Sequence, residues 1–131
     1  MSPAEPFVSV VAPVHNEGEG VDRFVRRMSD VLAGQGVRYE LVLVDDGSAD
    51  DSWHRIVEHS LLDSRVHGIQ LSRNFGKEAA LIAGLEHANG DAVVIIDADL
   101  QHPPTAIPVM LRRWRAGAHV VEAVKRNRAG Q

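Results

Sequence analysis

Two carboxylates one small residue apart, Asp97 and Asp99, follow the apolar run Ala92 to Ile96 in this 131-residue chain. Like charges placed this way repel one another, and a divalent cation is the usual means of making the arrangement favourable. The chain has no cysteine, so thiolate sites are excluded and oxygen ligands favour a hard ion such as Mg2+ or Mn2+. Such an ion keeps waters and bridges to phosphates, which makes a bound diphosphate its natural partner. Asp-x-Asp alone is a weak pattern, but its place between Ala-Val-Val-Ile-Ile and Leu-Gln-His-Pro-Pro strengthens it. Two more polar clusters follow apolar runs: Pro13, His15, Asn16 and Glu17 after the first, and Asp45, Asp46 and Ser48 after the second. Ser48, Asp50 and Asp51 read more simply as turn formers and helix caps.

The elements that must carry these clusters alternate between short apolar runs and helical periods, the pattern of an α/β domain whose mainly parallel sheet has helices on both faces. Strands are expected at Phe7–Val14, Tyr39–Val44, Val66–Leu71, Ala92–Ile96 and His119–Val124. The first is continuous and β-branched, as suits a central strand buried on both sides. Between them, Val21, Phe24, Val25, Met28 and Leu32 recur at helical spacing, and Gly34 and Gly36 end that helix where a left-handed backbone is wanted. A second helix runs to about Leu62, a third covers about Lys77 to Ala88, and Pro103 and Pro104 open a fourth that runs to about Ala116. Gly84, inside the third, suits close helix-to-sheet packing. In open parallel sheets ligands bind beyond the carboxyl ends of the strands, and all three polar clusters fall there.

Length and composition fit one domain over residues 1–131, with 44% apolar and 24% charged residues. Residues 1–110 carry 8 basic and 17 acidic side chains, whereas residues 111–131 carry 6 and 1. Arg112, Arg113, Arg115, Lys125, Arg126 and Arg128 therefore form a basic end suited to an anionic surface, or else a solvated helix face and tail. No run approaches the ~20 apolar residues of a membrane helix. A cytoplasmic location is expected, with peripheral contact at the cytoplasmic face of an anionic membrane and no nucleic-acid partner. Residues 125–131 read as a loop leading elsewhere, so the chain is expected to be cut short. His54, His59, His67 and His87 lack metal-ligand spacing, and Trp53 and Trp114 read as packing residues.

The motifs PVHNE, VDDGS and DADLQHPP, in this order and spacing, resemble glycosyltransferase family 2, whose nucleotide-binding fold is the Rossmann-like GT-A sheet. The resemblance covers nearly all of residues 7–128, and the stretch LSRNFGKEAALIAGLEHANGD further resembles the branch of dolichyl-phosphate mannose synthases and bacterial undecaprenyl-phosphate glycosyltransferases. It implies a strand order of 3-2-1-4. It also implies that Pro13, His15 and Glu17 line a nucleoside pocket, with His15 where the family usually has tyrosine. Val44 and Asp46 would contact base and ribose, and Asp97, Ala98 and Asp99 the ribose, diphosphate and metal. Gln101 would join the metal region, and Lys125 would stand near the donor phosphates. Arg73 and Lys77 are open between a phosphate role and a surface ion pair. The implied reaction is transfer of a sugar, with inversion, from a UDP- or GDP-linked donor to an acceptor of polyprenyl-phosphate type, Asp97 and Asp99 carrying the catalytic metal. A receiver-like signalling domain would also gather acids around magnesium, but its acidic pair follows the first strand, where this chain has PVHNE. A non-catalytic nucleotide-sugar-binding fragment is the other reading.

Overall fold

The computed structural model describes residues 6–99 and 106–115. Four strands and four helices alternate as β1 (Phe7–Val14), α1 (Gly20–Ala33), β2 (Arg38–Asp45), α2 (Ser52–Leu62), β3 (Val66–Gln70), α3 (Lys77–His87), β4 (Ala92–Ile95) and α4 (Ala106–Arg115). The strands form one parallel sheet in the order β3-β2-β1-β4. That is the α/β architecture and strand order expected, a Rossmann-like GT-A sheet. The expected fifth strand at 119–124 and the helix start at Pro103 lie outside the described residues. Pairing continues one residue past two strand ends, since Ile96 N–H donates to Val11 O at 3.1 Å and Leu71 N–H to Asp45 O at 2.9 Å.

Strand order dictates which face each helix covers. The chain moves outward from β1 to β2 to β3, then crosses back over β1 to β4, and right-handed crossovers put helices on opposite faces when direction reverses. Accordingly Phe24, Met28 and Leu32 of α1, Ile56 of α2 and Ile107, Met110 and Leu111 of α4 join Val8, Val10, Ala12, Leu41 and Leu43 in one core. Val11, Val42 and Val44, on alternate positions of the same strands, face Ala80 of α3 on the other side. The period of two in β1 and β2 is thus split between two apolar layers, which is why both strands read as continuous hydrophobic runs. Trp53 and Trp114 pack against the larger core.

Two glycine readings resolve differently. Gly36 takes the left-handed backbone after α1 (φ 64°), whereas Gly34 stays right-handed (φ −78°). Gly84 lets α3 lie on the sheet, because a Cβ there would run into Val11 and meet Val44 Cγ2 at 3.2 Å. At the amino ends of the strands, the buried Glu40 carboxylate accepts from Ser9 Oγ at 2.6 Å and from Asn89 N–H at 2.8 Å. Burial pushes this carboxyl up, but those hydrogen bonds outweigh it and hold Glu40 below its ordinary value.

Gly84→Ala weighs two effects against each other. Alanine's better helix propensity gains up to about 1 kcal/mol, while overpacking against fully buried valines costs about 1–3 kcal/mol. The clash dominates, so urea unfolding should show a net loss of stability; a more stable variant would contradict the packing described.

Candidate functional site

The carboxyl ends of β1 and β2 and the turn after β4 surround one cleft of about 280 Å³. It is lined by Pro13, Val14, His15, Glu17, Asp46, Lys77, Asp97, Ala98 and Asp99. Sequence reasoning placed seven of these together, all but Val14 and Lys77. Val44 is not among them: its side chain is fully buried beneath α3 with Val11 and Val42. Gln101 and Lys125 lie outside the described residues.

Three loops make the cleft by holding on to one another. The loop after β1 is fastened to the loop after β2 by Asn16, whose N–H donates to Ser48 Oγ at 2.9 Å and whose Oδ1 accepts from Ala49 N–H at 2.7 Å. Buried Ser52 adds a second tie: its Oγ accepts from the N–H groups of Glu17 and Gly18, both at 2.9 Å, while donating to Asp50 Oδ1 at 2.6 Å. Ser48 and Asp50 are therefore structural, as expected: both help join the two loops, and Asp50 Oδ1 also accepts from the N–H of Ser52, the first residue of α2, at 2.9 Å, whereas Asp51 makes no side-chain cap bond. Asn16 itself adopts a left-handed backbone (φ 53°), a conformation asparagine tolerates better than most residues. The role of Ser52 was not read from sequence, where it is one more polar residue in a turn.

Asp46 brings in the third loop. Its carboxylate is almost wholly buried and accepts from Phe75 N–H at 2.8 Å and from Gly76 N–H at 3.1 Å, just ahead of α3. His15 stands beside it with Nδ1 2.9 Å from Asp46 O and Nε2 3.1 Å from Asn74 Nδ2. This pattern assigns the proton to Nδ1, donating to the carbonyl, and leaves Nε2 to accept from the asparagine amides. Next to Asp46, Gly47 (φ 65°) has no room for a side chain, because the backbone of Arg73 and Asn74 passes directly over it.

Charge in the cleft is mostly of one sign. Burial pushes the Glu17 carboxyl up, and the nearby carboxylates of Asp99, Asp50 and Asp97 push it further, while His15 pulls the other way. Asp97 faces Lys77, with Nζ 2.9 Å from Oδ1. Arg73, the other cation of that loop, lies over the Phe75 ring at 4.7 Å. Two oxygen-donor carboxylates one residue apart, in a field that disfavours a further negative charge, fit a hard divalent cation. Among the described residues no three His, Cys, Asp or Glu side chains gather as a ligand set. An ion here would draw on Asp97 and Asp99 and complete its shell from water and phosphate, as magnesium typically does. Three histidines elsewhere pair with acids, His54 with Glu58 at 2.9 Å, His59 with Asp22 at 2.6 Å and His67 with Glu40 at 3.5 Å, and His87 lies against the His67 ring.

The profile of glycosyl transferase family 2 matches residues 9–131. The chain belongs to glycosyl transferase family 2. It is 45% identical over 123 residues to the uncharacterized glycosyltransferase YkcC of Bacillus subtilis, covering 94% of this chain and 38% of that protein. Among solved structures it resembles the mannosyltransferase PcManGT from Pyrobaculum calidifontis in complex with GDP-Man and Mn2+, with a TM-score of 0.62 at 27% identity over 73% of this chain and 28% of that one. It also resembles S. aureus TarS 1-349 in complex with UDP, with a TM-score of 0.54 at 28% identity over 70% of this chain and 27% of that one. The chain thus spans less than two-fifths of the length of each.

Glu17→Gln tests the electrostatics of the cleft. A carboxyl whose value is raised on folding costs stability once it ionises, so the cost is absent below the unfolded value of about 4.3 and grows as pH rises above it. The variant should melt higher than the parent at pH 7 and no higher at pH 3.5; equal melting at pH 7 would mean that Glu17 is not under strain.

Proposed function

We propose that this chain is the donor-binding part of a metal-dependent glycosyltransferase that moves a sugar from a nucleoside diphosphate sugar to an acceptor oxygen. The observation that carries the reading is the cleft at the strand ends, in which Asp46, Asp97 and Asp99 meet from sequence positions more than fifty residues apart. The GDP-Man and Mn2+ bound by PcManGT and the UDP bound by TarS support it, since both proteins share this part of the fold.

In the proposed reaction the acceptor oxygen attacks the anomeric carbon, the bond from that carbon to the diphosphate oxygen breaks, and the nucleoside diphosphate leaves with the electron pair, inverting the centre. A divalent cation at Asp97 and Asp99, joined by Gln101, would supply stabilisation of the charge that develops on the diphosphate. The chain's own residues orient the donor around that charge. Pro13, His15 and Glu17 would border the nucleoside, with His15 held in one tautomer by Asp46 O and Asn74. Asp46 would set the ribose side while anchoring the loop before α3. Ala98, between the two acids, is small and buried, so the backbone can approach the donor closely. Lys125 would stand near the donor phosphates.

For the acceptor we propose a polyprenyl phosphate, on the strength of the stretch from Leu71 to Asp91 and the basic end. Its phosphate oxygen is already anionic, so no strong general base is required. No described helix is long and apolar enough to cross a membrane. The exposed guanidinium groups of Arg112, Arg113 and Arg115 on the last turn of α4 would instead meet an anionic lipid surface. The transfer activity is proposed for the whole protein. That the chain spans 38% of YkcC favours a second reading, in which these residues by themselves bind the donor without turning it over.

Calorimetry of UDP and GDP against the chain, with manganese or with chelator, tests the donor site. Affinity should depend on metal, and Asp99→Asn should abolish that dependence while the fold is kept; equal affinity in both conditions would remove the bridging-metal reading. The membrane contact has its own test in vesicle sedimentation. Binding should favour anionic over neutral lipid, weaken with salt and diminish by up to ~1 kcal/mol for each arginine replaced; indifference to lipid charge would leave a solvated helix face.

A further inference from the structure

Lys77 is the first residue of α3, where a cation opposes the helix dipole. Its side chain is 59% exposed and lies across the cleft mouth, with Nζ 2.9 Å from Asp97 Oδ1, and the residue lines the cleft. Around the cleft stand four carboxylates, Glu17, Asp46, Asp97 and Asp99, and Lys77 is the one ammonium or guanidinium group among the described residues lining it. The Asp46 carboxylate, through the N–H groups of Phe75 and Gly76, fixes where this lysine starts.

We propose that Lys77 is a place-holding counter-ion that occupies Asp97 until a divalent cation takes it, and is then released toward the diphosphate of the donor. This rests on the reading of Asp97 and Asp99 as the cation-binding pair. The ammonium is a compact, strongly hydrated point charge on a flexible four-carbon stem, so it can leave one oxygen anion for another nearby at little cost. In the donor-free protein it neutralises Asp97 and competes with the divalent cation for the same oxygen. An incoming diphosphate offers Lys77 an alternative partner and thereby frees Asp97. Cation and nucleotide then bind cooperatively, and by linkage each must raise the other's affinity by the same factor.

The test compares the wild-type chain with Lys77→Met, which keeps stem length without charge, and Lys77→Arg, which keeps charge. Manganese binding without nucleotide is read from the loss of the free-ion electron paramagnetic resonance signal. Binding of UDP and GDP at saturating manganese is read by calorimetry. Lys77→Met should bind manganese about two- to fivefold more tightly, the range expected for removing an exposed ion-pair competitor. It should bind the better of the two nucleotides roughly tenfold more weakly, as for loss of a hydrogen bond from a charged donor. Lys77→Arg should behave like wild type in both. Opposite shifts in the two affinities are not expected of a merely structural ion pair. Unchanged or weakened manganese binding in a folded Lys77→Met, with wild-type nucleotide affinity, would overturn this inference and leave the donor-site reading standing. Failure of the wild-type chain to bind manganese even with UDP or GDP would overturn both.

Discussion

Asp46 accepting hydrogen bonds from the backbone of Phe75 and Gly76 is the interaction on which the geometry of the cleft depends. A buried carboxylate is costly unless its lone pairs are satisfied, and hydrogen bonds to a charged acceptor are about twice as strong as neutral ones. The carboxylate therefore holds the loop before α3 against the end of β2. That closeness is possible only because Gly47 presents no side chain to the backbone of Arg73 and Asn74. Once the loop is held there, α3 begins beside the cleft, and its first residue, Lys77, reaches Asp97. A carboxylate proposed to contact the nucleoside is thus also the group that positions a neighbouring cation.

The two ends of the sheet treat their acids in opposite ways. At the amino ends Glu40 is buried but fully answered by Ser9 and Asn89, and its carboxyl is held below the ordinary range. At the carboxyl ends Glu17 is pushed up by burial and by the charge of Asp99, Asp50 and Asp97. The first arrangement stabilises the fold by tying the loop before β4 to β1 and β2. The second costs stability, and the repulsion is relieved by whatever positive charge enters. A positive charge entering the second arrangement relieves repulsion that the fold leaves in place around Glu17, whereas the answered Glu40 has none to relieve.

Much of this was legible in the sequence, and the reason is range. Continuous apolar runs and helical spacing are local signals, so β1 to β4 and the helices between them appear within a residue or two of their expected ends, and Gly84 was readable because a glycine inside a helix asks for close contact. The motifs PVHNE, VDDGS and DADLQHPP pointed to the same edge of the sheet because each directly follows a strand. Gly34 was misread as left-handed since two glycines one residue apart leave the choice to the geometry of the turn, and Gly36 takes it. Motif position does not show that strand alternation turns the Val44 side chain under α3 and away from the cleft lining.

The sequence by itself determined the fold class and which strand ends would carry acids, because both follow from spacing along one stretch of chain. Tertiary structure alone decided how the three loops hold one another. Ser52 serves Glu17 and Gly18 from 35 and 34 residues away, His15 meets Asn74 from 59 away, and Asp46 reaches Gly76 from 30 away. It also decided Lys77, which local pattern left open between a phosphate role and a surface ion pair, and which the crossover of α3 places on Asp97. Hydrogen bonds of such separation exist only once β1, β2 and β3 lie side by side in the sheet, and no local period encodes the distance between two loops that this pairing brings together.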